Sequence, residues 1–226
     1  MKKAQPITSG IRILRRLSCD DPGCVSTFDF MMLRRDHSPS RTRGGAAEVN
    51  DPEIGPELLE RWALGYLGRY ASSAENLRRV LIRRARRHSP EAAQQARAQI
   101  DAIVARYRES GLLDDAAYAA GRAASLHRRG DSLKAIRARL AGKGVPAEVA
   151  AEAVSGLREN APDPDIAAAC AFARRRRLGP FRRAAADRQR ELAAFARAGF
   201  SHRIAQAVLA CGDVEAVEAL ARDGLC

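Results

Sequence analysis

The chain is 226 residues long, with 39 Lys+Arg against 27 Asp+Glu, a formal net charge of +12 and 46% hydrophobic residues. That length suits one large domain or several small ones, and the apolar content excludes a disordered chain. No apolar run reaches the roughly 20 residues a membrane-spanning helix needs, and the N-terminus lacks the apolar core of an export signal, so no membrane role is expected. Five cysteines, Cys19, Cys24, Cys170, Cys211 and Cys226, are odd in number and lack framework spacing. They argue against a disulfide scaffold and for a reducing, cytoplasmic location.

Residues 1–51 mix Pro, Ser, Gly and Asp with short apolar bursts such as FDFMML, and are expected to form a disordered arm. From Pro52 the texture becomes Ala, Leu, Arg and Glu with helical spacing. Ser72-Ser73-Ala74-Glu75 offers a capping box before Leu77, Val80 and Leu81. Ala93, Ala96, Ile100, Ile103, Val104 and Tyr107 share one face of a helix that Pro90 starts and Gly111 stops, predicted over 90–110. Asp131-Ser132 precedes Ile136 and Leu140, Asp187 precedes Leu192 and Phe195, and Gly130, Gly144, Gly179, Gly199 and Gly212 read as helix stops. No run of alternating β-branched residues calls for a strand. Aligning Leu77/Leu81 with Ile136/Leu140 and Leu192/Ala196 gives offsets of 59 and 56 residues. The expected fold is therefore all-α, about three tandem three-helix repeats stacked into an elongated, curved array. Their expected bounds are 52–112, 113–160 and 161–226.

Several possible chemistries lack their residues. Asp114-Asp115 follows Gly111 and opens a helix, where carboxylates cap N–H groups rather than catalyse. His37, His88, His127 and His202 have no partner at ligand spacing, and no second Cys/His pair completes a zinc site with Cys19 and Cys24. Gly65 and Gly68 have neither a preceding strand nor a following Gly-Lys, so they read as points of close helix approach, not a phosphate loop. Trp62, Tyr66 and Tyr70 read as core packing, with base stacking by one of them as the alternative. No cofactor, metal or enzymatic site is expected.

Four blocks are recognisable by order and spacing: Ala63-Leu64-Gly65-Tyr66-Leu67-Gly68-Arg69-Tyr70; Ser73, Leu77 and Leu81; YRESGLLDDAAYA from Tyr107 to Ala119; and Leu140-Ala141-Gly142-Lys143-Gly144-Val145. They resemble the RecX family, whose members read ALxYLxxRxxSxxELxxKL, LxxxGLLDDxxFA and LxxKGI. Here Tyr70-Ala71, Asn76 and Val145 depart from that pattern. The resemblance covers roughly residues 58–212 and includes ARRRRLGPFRR and RELAAFARAGFSHRIAQAVL near its end. It implies a non-enzymatic protein of three-helix repeats that binds the RecA nucleoprotein filament and damps its activities, with single- or double-stranded DNA as a further partner. A monomer is expected.

A groove lined by phosphate calls for an extended basic face, and three clusters supply candidates. Arg78, Arg79, Arg83, Arg84, Arg86 and Arg87 form the first. The second comprises Arg128, Arg129, Lys134, Arg137, Arg139 and Lys143. Arg174, Arg175, Arg176, Arg177, Arg182 and Arg183 form the third. Stacked repeats would align them as a discontinuous stripe whose contact with a polyanion weakens with salt; the alternative is a solvated face of an arginine-rich protein.

Overall fold

Short polar side chains decide where the helices begin. In the computed structural model, which describes residues 54–159, 161–184 and 187–224, the described residues form eleven α-helices and no strand. They are α1 (Pro56–Leu67), α2 (Ala74–Arg86), α3 (Pro90–Gln95), α4 (Arg97–Glu109), α5 (Asp115–Arg128), α6 (Leu133–Gly142), α7 (Ala147–Ser155), α8 (Pro164–Arg176), α9 (Arg188–Arg197), α10 (His202–Ala210) and α11 (Val214–Asp223). Ser73, Ser89, Asp114, Ser132, Asp163, Asp187, Ser201 and Asp213 each accept an N–H from the first turn of the helix they precede. Those N–H groups have no partner inside the helix, and each cap stabilises its helix by about 1 kcal/mol. The expected arm, residues 1–51, lies outside the described residues.

Apolar stripes gather the helices into three groups, each around its own buried core. Leu59, Trp62, Leu77, Leu81, Ile100 and Tyr107 centre the first, from α1 to α4. Leu126, Ile136, Leu140 and Val154 centre the second, from α5 to α7. Ile166, Phe172, Phe195, Phe200 and Val208 centre the third, from α8 to α11, where the three phenylalanine rings meet within 5.8 Å of one another.

The helix predicted over 90–110 is interrupted at Ala96. Both of its pieces pack on α2, whose 13 residues span about 20 Å, whereas a straight helix over 90–109 would run about 30 Å and leave α2 behind. The cap of α2 is Ser73 rather than Ser72, and Glu75 turns outward to pair with Arg79 instead of closing a box. Gly212 is no left-handed stop, since α10 gives way to an extended Cys211. The helix α8 ends before Gly179, on Arg177 at φ 57°, ψ 49°.

The third group also corrects the repeat register. Glu191 and Phe195 are the buried residues of α9, while Leu192 is half-buried and Ala196 exposed, so the counterpart of Ile136 lies 55 positions on (136 to 191). A charged residue holds a core position here because its Oε1 accepts the Gly179 N–H at 2.9 Å and its Oε2 lies 3.7 Å from Arg182.

Two junctions join the three groups, and both use the same parts. The capping serine of α2, Ser73, donates to the carbonyl of Lys143 at the end of α6; that of α6, Ser132, donates to the carbonyl of Ala198 at the end of α9, at 2.7 Å. Asp115 of α5 accepts the Ala74 N–H of α2 at 2.8 Å, and Asp165 of α8 accepts the Leu133 N–H of α6 at 2.9 Å. Gly144 and Gly199, at φ 74° and 90°, lie where a Cβ would collide with Glu75 and with Ser132 respectively. Thus α2, α6 and α9 run head to tail, each later helix ending on the start of the earlier one.

Candidate functional site

The first basic cluster divides by what holds it. Arg78 is bound to Asp101 through Nε–Oδ1 at 2.5 Å, and this bond raises its already high pKa. Arg79 meets Glu75 at 2.8 Å and donates to the Gly142 carbonyl at 3.1 Å, so it belongs to the first junction. Arg83, Arg84, Arg86 and Arg87 are exposed, with no carboxylate within 4.0 Å among the described residues. They crowd the last turn of α2, where the negative end of the helix dipole offsets part of their repulsion. The Arg84 guanidinium sits over Trp62, its carbon 4.4 Å from the ring centre, and His88 stacks against the same indole.

The second cluster occupies two elements. Arg128 and Arg129 end α5, whereas Lys134, Arg137, Arg139 and Lys143 belong to α6. Arg139 reaches Asp131 at 3.4 Å; Lys134, Arg137 and Lys143 are exposed without an ion pair among the described residues. The head-to-tail arrangement places the Lys143 carbonyl at the start of α2 and the Lys134 side chain beside Gly199.

The third cluster sits elsewhere. Arg174, Arg175, Arg176 and Arg177 close α8, the first helix of its group, so their counterparts are Arg128 and Arg129 of α5, not the arginines of α2. The ends of α5 and α8 converge with α11 around a cavity of about 430 Å³ lined by Arg128, Arg129, Arg174 and Arg175 over Ala167, Cys170, Ala171 and Phe181. Glu218 of α11 already engages Arg174 at 2.5 Å. Arg182 is tied to buried Glu191, while Arg176, Arg177 and Arg183 are exposed and without an ion pair among the described residues. The structure therefore brings the second and third clusters together at one place, the cavity rim between α5, α8 and α11, and leaves the other basic residues on α2 and α6, helices that meet end to end.

The remaining candidates resolve as scaffold. Asp114 caps α5, and Asp115 caps α2 across the first junction, so the pair that resembled a catalytic dyad joins two groups. His127 is half-buried against the Pro164 carbonyl at 2.6 Å; His37 lies outside the described residues. Gly65 and Gly68 bring no second helix close, a correction explained by their position on the open side of α1. Burial pushes the Cys170 thiol up to about 12, leaving it protonated and unreactive. Among the described residues no group of three His, Cys, Asp or Glu side chains could hold a metal, and no helix is long and apolar enough to cross a membrane. Cys19, Cys24 and Cys226 lie outside the described residues.

Sequence reasoning missed the junction residues Ser73, Ser132, Asp115, Asp165, Gly144 and Gly199 as a repeated set. Their signal was present in similar spacings, 59 residues between the two serines and 55 between the two glycines, but each residue also served as an ordinary helix cap or stop.

Fold and surface together define a class: an all-α protein of successive helical groups that holds guanidinium groups on scaffolded helix ends. Residues 114–154, which cover α5 to α7, match the family described as RecX, second three-helix domain. The chain is 41% identical over 184 residues to the regulatory protein RecX of Myxococcus xanthus (strain DK1622), covering 78% of this chain and 92% of that protein. It is 40% identical over 111 residues to the regulatory protein RecX of Agrobacterium fabrum (strain C58 / ATCC 33970), covering 48% of this chain and 57% of that protein. No solved structure gives a significant match. This chain belongs to the RecX family.

Proposed function

We propose that this protein binds the RecA nucleoprotein filament, along its groove or at its growing end, and lowers its ATP hydrolysis, strand exchange and co-protease activity, thereby regulating DNA repair and recombination. The observation that carries this reading is the similarity to a whole regulatory protein RecX, 92% of which is matched. It acts by binding, as a cytoplasmic monomer, with no cofactor. The three helical groups serve as three copies of one binding unit, residues 52–112, 113–160 and 161–226. The unpaired arginines of α2 and the basic residues of α6 neutralise phosphate, releasing counterions and making the contact strongly salt-dependent with little base preference.

The same exposed arginines favour a second reading, general DNA binding without recombinase specificity. The two separate in a titration of the protein into RecA assembled on single-stranded DNA, with ATP hydrolysis followed beside binding to bare DNA. Hydrolysis is expected to fall at concentrations that leave bare DNA unbound. Substoichiometric action would identify end capping, and saturation near the filament content would identify groove coating. Unchanged hydrolysis alongside tight, salt-sensitive binding to bare DNA would overturn the filament reading in favour of the second.

A further inference from the structure

The aromatic residues at the start of the first group do not share one fate. Trp62 is 6% exposed and belongs to the core, Tyr66 is half-buried, and Tyr70 stands 56% exposed in the link between α1 and α2. A tyrosine ring left in water keeps an open aromatic face, and single exposed apolar side chains are common, so what sets this ring apart is the way it is held in place. The ring is also braced. Tyr66 backs it with ring centres 5.2 Å apart and planes tilted by 41°. The Tyr66 hydroxyl accepts a bond from Asn76 Nδ2 at 3.1 Å, and the same amide donates to Ser72 at 2.8 Å. The Tyr70 N–H donates to the Tyr66 carbonyl at 3.0 Å, which fixes the backbone of the link.

The surroundings decide what such a ring can receive. Arg69 precedes it, exposed, its Nε on the Gly65 carbonyl at 3.0 Å and no carboxylate within 4.0 Å among the described residues. The acids of the adjoining first turns are committed, Glu75 to Arg79 and Asp115 to the Ala74 N–H. A protein partner would want a continuous apolar area, yet Gly68, Arg69 and Ala71 surround Tyr70 in the link, and exposed Leu64 lies two positions from Tyr66, about 200° around α1. A single aromatic face beside a guanidinium suits a flat ring attached to a phosphate. Bases inside a duplex already stack on one another, so only an unpaired one can reach it.

We propose that Tyr70, braced by Tyr66, is a stacking site for an unpaired base of single-stranded nucleic acid, with Arg69 taking an adjoining phosphate. This goes beyond the filament reading, because it requires a strand and no recombinase. It adds a base contact in the link that leads into α2, next to the basic residues of α2 and α6.

The test uses full-length Tyr70→Ala and Tyr70→Trp, with anisotropy of a labelled thymidine strand and of a duplex of equal length across a salt series. Tyr70→Ala is expected to weaken binding to the strand by about 5- to 150-fold, the range for loss of one base–aromatic stack. The salt slope should stay unchanged because every phosphate keeps its cation, the duplex affinity should hold, and Tyr70→Trp should restore the strand. Helical circular dichroism equal to wild type is the control that the exposed substitution leaves the fold intact. Strand affinity equal to wild type in Tyr70→Ala, equal losses on strand and duplex, or no strand binding by the wild type would each overturn the site. So would loss of the effect on filament hydrolysis with strand binding intact, which would mark Tyr70 as a protein contact. Should the wild type leave filament hydrolysis untouched while strand binding depends on Tyr70, the filament reading falls and the stacking site stands.

Discussion

Asp165 carries a cost that its counterpart in sequence logic, an ordinary cap, would not. Burial raises its pKa, and the hydrogen bond from Leu133 N–H only partly offsets that. A carboxyl whose folded pKa lies above its unfolded value binds protons more readily in the native state, so its contribution to stability is greatest at low pH and declines as pH rises through the folded value. At neutral pH the second junction therefore holds a charge it would be easier to fold without. Asp165→Asn keeps an oxygen for Leu133 and removes the charge. Its urea midpoint is expected to match or exceed wild type at pH 7, with the difference closing as pH falls through the carboxylate range. A variant clearly less stable at pH 7 would show that the favourable field of Arg137 and His127 outweighs burial. Glu191 teaches a related lesson. Nothing in the sequence marked a glutamate as core, because its burial depends on a backbone N–H supplied 12 residues away by Gly179.

At the scale of elements, the junctions depend on glycine where two helices meet end to end. Gly144 combines a left-handed backbone, φ 74°, with a position where a Cβ would strike Glu75 at its own Cβ and Cγ, atoms too close to the backbone to swing aside. Gly144→Ala is expected to cost about 2–4 kcal/mol, the sum of the conformational and overpacking penalties. Gly142, two residues earlier in the last turn of α6, has open space within 4 Å of where a Cβ would sit, and no positive φ. There Gly142→Ala is expected to be neutral or to stabilise by about 0.5–1 kcal/mol, through helix propensity. Thermal unfolding of the two variants side by side checks the contrast, and equal effects would refute the end-to-end packing. Much of this level was legible. Eight of the eleven starts follow Ser or Asp, the stops at Gly111, Gly130, Gly144 and Gly199 hold while those at Gly179 and Gly212 do not, and apolar spacing placed α2, α4, α6 and α10 correctly. The break at Ala96 was not legible, since it answers to the length of α2 and leaves Arg97 Nε buried without a hydrogen-bond partner. Nor was the true register of α9, because matching apolar letters selects Leu192 where the fold selects Glu191.

For the whole molecule, the junction parts differ at the two helix ends that make no junction among the described residues. After α2 stand Arg87 and His88 where α6 and α9 are followed by Gly144 and Gly199, and the cap of α9 is Asp187, which accepts but donates nothing, where α2 and α6 have serines. Among the described residues the end of α2 is left to its arginines. The sequence showed three clusters of charge, yet it could not show that Arg78, Arg79, Arg174 and Arg182 are committed to Asp101, Glu75, Glu218 and Glu191, because partners are settled only when the helices fold and pack. Only the fold separates arginines that hold it together from arginines that remain available. This division predicts unequal variants. Reversing charge at Arg83, Arg84 and Arg87 breaks no ion pair among the described residues and removes only the Arg84 contact over Trp62. Helical circular dichroism is therefore expected to stay near wild type, and the unfolding midpoint to fall by no more than that contact's share of stability, about 0.5–1 kcal/mol. Filament and DNA binding should weaken, with the slope of log K against log salt reduced by about 0.7–0.9 for each phosphate no longer neutralised. Reversal at Arg78 and Arg79 instead places carboxylates against Asp101, Glu75 and the Gly142 carbonyl, so it should lower the unfolding midpoint first. Unchanged affinity and salt slope in the first variant, with its helices intact, would remove the end of α2 from the interface and leave the rim between α5, α8 and α11 as the basic surface to test.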